Sequence, residues 1–169
     1  MIQKIKLFAD GNFLPVIQHD IVEVLVPALS SQTQFLLPDV PNLRESEIVA
    51  FEVISSDDLN FSPTDGVAVA SMADLKKAAI TFEAYNGNQF YKNSPLTNNH
   101  YHLDTNVGSN NDWMQKQFQG QRINYPKSYI TYQNGGVLPA TAFKFILCIY
   151  YIKRDEIPGL IGATFKNQS

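Results

Sequence analysis

The stretch that decides the fold is TAFKFILCIYYIK, residues 141–153, where nine consecutive positions from Phe145 onward hold one lysine and otherwise aromatic, aliphatic or cysteine side chains. Read as a strand, it places Phe143, Phe145, Leu147, Ile149 and Tyr151 on one face and Ile146, Cys148, Tyr150 and Ile152 on the other. A helix is the competing reading, but the β-branched and aromatic content and the missing polar stripe favour a strand. Both faces are apolar, so the strand is expected to be central and covered on both sides, by an opposite sheet and by a loop or a neighbouring subunit. Burial of the five side chains of one face contributes roughly 7 to 15 kcal/mol before conformational entropy is subtracted, at about 1.5 to 3 kcal/mol each.

Outward from this strand the same periodicity recurs. IQKIKLFA (2–9) alternates and stops at Asp10-Gly11; IVEVLV (21–26) and QTQFLL (32–37) each end at a proline. EIVAFEVIS (47–55), GVAVA (66–70), AAITFEAY (78–85), NQFYKN (88–93) and SYITYQ (128–133) complete the set. Asn86-Gly87 between two of these runs predicts a two-residue type I′ hairpin, whose central residues both need positive φ. Short strands with almost no helix predict an all-β chain, an antiparallel β-sandwich that is jelly-roll-like, with one long polar loop and at most one short helix. That helix is expected in DWMQKQFQG, with Asp112 as N-cap and Gly120 past its end. The 169 residues form one domain, 1–169, with 158–169 as a C-terminal tail, because Pro158, Gly159 and Gly162 interrupt pairing. Leu160, Ile161 and Phe165 in that tail still require burial, which makes them candidate partner contacts.

Composition limits the function. Charged residues are 17 %, the formal net charge is −3 and the pI is near 5.5, with no basic stripe to follow a phosphate backbone, so nucleic acid is not expected as the main partner. The longest apolar run, FILCIYYI, is too short to span a bilayer, and MIQKIKLFADGNF lacks a leader's cleavage pattern. One cysteine makes no internal disulfide.

The long polar interval 94–127 contains TNNHYHLDTNVGSNNDW (97–113), the densest chemistry in the chain. In extended conformation His100, His102 and Asp104 share a face, as metal ligands would. No further histidine follows residue 102 to complete a facial triad or a cupin-type set, so the expectation is no metal, no cofactor and no enzyme activity. Asp57, Asp58, Asn60 and Asp65 do not follow the spacing of a calcium loop. Cys148 lies in the most apolar strand, where a thiol is inert, and no nucleophile elbow, phosphate loop or HExxH occurs. Tyr101, Trp113, Tyr125 and Tyr129 beside many amides are what a sugar ring requires, but they equally anchor a loop to a sandwich. Tyr101 and Trp113 are therefore the candidate contacts, for a partner or a ligand.

The layout, with its short strands, one polar excursion between NQFYKNSPL and INYPKSYITY, a two-sided apolar strand and a short tail, resembles single jelly-roll virion proteins of tailless icosahedral phages and viruses. The resemblance implies a structural, self-assembling capsid subunit, located in the virion and contacting copies of itself and other virion proteins. A carbohydrate-binding β-sandwich module is the alternative, and a metal-dependent β-fold enzyme the third reading.

Overall fold

The computed structural model of the chain describes residues 17–44, 46–58, 65–100 and 122–153. Two four-stranded sheets pack face to face. The first has the order β1 (Gln18–Val26), β8 (Phe143–Lys153), β3 (Ser46–Ile54), and β4 (Ala68–Val69) joins β8 in parallel where β3 stops. The second has the order β2 (Gln34–Leu36), β7 (Tyr129–Tyr132), β5 (Ala78–Glu83), β6 (Gln89–Pro95). Strand β1 thus pairs with β8 and β2 with β7, and the chain passes back and forth between sheets as it does so. This is an all-β, antiparallel, jelly-roll-like sandwich.

Strand β8 is central, and its register explains which residues of β1 turn inward. Val22, Val24 and Val26 stand opposite Leu147, Phe145 and Phe143, so the valines enter the core and Ile21, Glu23 and Leu25 face outward. All five inner residues of β8 belong to the core. Two aromatic clusters tie the sheets together. Tyr132 meets Phe143 and Phe145 edge to face, with centroids at 5.3 and 5.8 Å. Phe51 meets Phe82 and Tyr91 in the same way, at 5.1 and 5.4 Å.

The structure corrects the expected turn and the expected number of short helices. Residues 85–87 form a three-residue hairpin loop: the Gly87 N–H donates to the Ala84 carbonyl and only Gly87, at φ 81°, is left-handed, so no type I′ turn forms. Strand β6 then carries an irregularity in which Tyr91 and Asn93 both take φ 51°, and the Asn93 N–H donates to Thr81 Oγ1 at 3.0 Å. Among the described residues two single-turn helices occur where at most one was expected, α1 (Pro41–Arg44) and α2 (Met72–Leu75). Apolar periodicity cannot reveal a single turn, but α2 carries a capping box in which Ser71 and Asp74 each bond the other's backbone. The expected helix in DWMQKQFQG, the strand at 2–9 and the tail 158–169 lie outside the described residues.

Candidate interaction surface

The outer face of the first sheet is built by the alternate residues of β1 and β8. Ile17, Ile21 and Leu25 recur every fourth residue along one side of β1 and its approach, each about half exposed. Beside them Ile146 and Cys148 of β8 are buried, as is the aliphatic stem of Lys144. The Lys144 ammonium donates to Glu23 Oε1 at 2.9 Å and Asp65 Oδ2 at 2.8 Å, joining β1 to the loop before β4. These two bonds raise the lysine above its ordinary pKa, and the Lys144 partner holds the Asp65 carboxyl below the usual range. At the far end of the face, His19 leans on the Tyr150 ring at 5.9 Å, and Tyr150 donates to Glu52 Oε2 at 3.1 Å. Burial pushes the carboxyl of Glu52 and the thiol of Cys148 up, so the thiol sits in the inert environment expected from its strand.

This apolar row runs into one end of the sandwich. There the β1–β2 loop meets the β7–β8 loop through the Leu29 N–H, which donates to the Pro139 carbonyl at 2.7 Å. Leu29, Val137 and Leu138 project from these loops, 69, 73 and 45 % exposed. The opposite end is polar: Arg44 pairs with Asp39 through two hydrogen bonds, and Arg122 lies over the exposed Tyr85 ring at 5.1 Å.

Of the candidate ligand and contact residues Tyr101, His100, His102, Asp104, Trp113, Leu160, Ile161 and Phe165, His100 alone is described. It is half-buried, follows the 3₁₀ turn Leu96–Asn99 and bridges to Val53 of β3. Leu96 and Asn99 of that turn are buried, so the polar interval begins pressed against the core and not as a solvated loop. Tyr101, His102, Asp104, Trp113, Leu160, Ile161 and Phe165 lie outside the described residues. Among the described residues no three of His, Cys, Asp and Glu come together as a metal-ligand set, and no helix is long and apolar enough to cross a membrane. Tyr125, one of the four aromatics considered for a sugar platform, is buried in the core with burial driving its hydroxyl pKa far up, and Tyr129 is half-buried.

No family model matches the chain, and no curated protein or solved structure is significantly similar to it.

Sequence reasoning missed the Lys144 ion cluster and the apolar tip. The lone lysine inside an apolar strand was the available signal for the first, since a buried ammonium requires carboxylate partners. For the second, VLPA after a Gly-Gly turn was visible as apolar loop sequence.

Proposed function

We propose that the protein is a structural subunit that associates with copies of itself, of the shell-forming kind to which single jelly-roll virion proteins belong. The observation that carries this reading is the exposed apolar row Ile17, Ile21, Leu25 on a sheet face whose β8 residues Ile146 and Cys148 are already apolar and buried. Large apolar side chains left exposed and repeated along one sheet face, with His19 and Glu23 between them, are surface that a partner can cover. Surface charge is sparse, which lowers the repulsion between identical chains brought together at high density. The jelly-roll-like winding supports the same reading by analogy of fold.

Light scattering coupled to size exclusion, with electron microscopy of the same sample, tests it. A defined oligomer or particle is expected at physiological salt. A monomer at every concentration reached, with no larger assembly formed, would remove the proposal.

A further inference from the structure

Among the described residues β6 is the last strand of the second sheet, whose order is β2-β7-β5-β6. Its seven residues, QFYKNSP, would be long enough to serve as a template for a further strand. The backbone of β6 does not stay flat. Phe90 stands opposite Phe82 and Ser94 opposite Ile80, so the three residues 91–93 face the single residue Thr81. Two of them, Tyr91 and Asn93, take φ 51°, a left-handed conformation that is costly for tyrosine and tolerated by asparagine. Packing on the core side holds this kink in place. The Tyr91 ring meets Phe51 and Phe82 edge to face, with centroids at 5.4 and 6.2 Å. The Asn93 N–H donates to Thr81 Oγ1 at 3.0 Å, a side-chain oxygen where a regular ladder would use a carbonyl. Lys92 and Asn93 are exposed.

Extra residues in one strand bend it and disrupt its ladder, so its N–H and C=O groups no longer form the straight row that an added strand needs. Lys92 puts a charge at the same place, and Pro95 removes one N–H from the strand. The strand at the other end of this sheet is blunted by shortness: β2 has three residues, Gln34–Leu36, and Pro38 follows. In β6 the strained backbone is fixed from the core and exposed at its crest, where it acts on whatever approaches the edge.

We propose that the kink at Tyr91–Asn93, with Lys92 and Pro95, guards the β6 edge and keeps a strand of a second copy of this chain from adding to the second sheet. The inference does not rest on the self-association reading, which concerns the outer face of the first sheet.

Deleting Lys92 and Asn93 leaves one residue, Tyr91, opposite Thr81 and so permits a regular β6. The full wild-type chain and this variant are compared by thioflavin T fluorescence, electron microscopy and amide hydrogen exchange, with circular dichroism to establish that each is folded. The expected result is thioflavin-positive, fibrous assembly in the variant alone, with exchange at Gln89–Pro95 slowed about tenfold or more. If the deletion variant does not fold, Lys92→Thr/Pro95→Thr, which changes only exposed residues, is read in the same way. Phe145→Ala serves as the control for lost stability, and fibres formed by it to the same extent overturn the proposal. A folded edge variant that forms no fibres and whose β6 amides exchange as in wild type also overturns it. So do wild-type assemblies in which those amides are already protected, since the edge would then be in use.

Discussion

Lys144 shows how one residue can stand in an apolar strand without breaking it. Its stem continues the outer face of β8 while its ammonium reaches Glu23 and Asp65, both about half exposed. The lowered Asp65 pKa adds stability above its unfolded value of about 3.9, lost as pH falls through the folded value. The raised Lys144 pKa adds stability below about 10.4, lost as pH rises through its folded value, so the cluster is fully formed across the neutral range. Lys144→Met keeps the stem and lets both carboxylates return to water. It is expected to change stability by less than about 1 kcal/mol in urea unfolding, whereas Lys144→Glu should lose about 3 kcal/mol or more. Glu52 behaves in the opposite sense. Burial raises its carboxyl pKa, partly offset by the Tyr150 hydroxyl, so the folded state binds its proton more tightly than the unfolded state does. The resulting penalty is present above the folded pKa and disappears below the unfolded value of about 4.3. Glu52→Gln should therefore raise the melting temperature at about pH 8 and leave it unchanged at about pH 4. Equal shifts at both pH values would show that packing and not charge is responsible.

Among elements, β8 carries the fold, and its two faces should respond differently to truncation. Phe145 is fully buried and shares the aromatic cluster with Tyr132 and Phe143, so Phe145→Ala is expected to lose about 3 to 5 kcal/mol. Ile21→Ser on the outer face of β1 should stay within about 0.5 kcal/mol for the isolated chain, as at an ordinary surface site. Chemical denaturation of the two variants at low protein concentration separates them. The strands were legible because alternation and β-branched runs state directly which segments are extended; for β8 the grouping of Phe143, Phe145, Leu147, Ile149 and Tyr151 on one face was read, and the structure shows that this face enters the core. The choice of face in β1 was not, since IVEVLV is apolar on both sides and only its register against β8 sends the valines in. Asn86-Gly87 was read as a turn of the wrong type because the sequence does not state whether one or both residues become left-handed; the flanking pairing decides that. Gly87 has open space where a Cβ would stand, so Gly87→Ala meets no clash, and its expected loss of about 1 to 2 kcal/mol reports the backbone conformation alone. The tip was illegible for a related reason: nothing in the intrinsic preferences of leucine suggests a left-handed backbone, so Leu29 reads as an ordinary loop residue until the turn is seen.

At the scale of the whole molecule, one end of the sandwich carries Arg44, Asp39 and Arg122, and the other carries the exposed apolar residues Leu29, Val137 and Leu138 beside the exposed Lys76 and Lys77. An apolar contact gives the proposed assembly a physical signature. Ion pairs between subunits weaken as salt rises, because the Debye length shrinks from about 10 Å at 0.1 M to about 3 Å at 1 M. Apolar contacts persist in salt, strengthen with excluded anions such as sulfate, and weaken on cooling because their driving force near room temperature is entropic. If the exposed apolar residues of the outer sheet face hold the copies together, the assembled fraction should be unchanged or larger at about 1 M NaCl than at about 0.05 M. It should also rise with sulfate, and fall between about 25 °C and about 4 °C. Sedimentation velocity under these conditions reads the assembled fraction directly. Dissociation by salt with indifference to cooling would assign the subunit contact to ion pairs and take it away from the apolar surface.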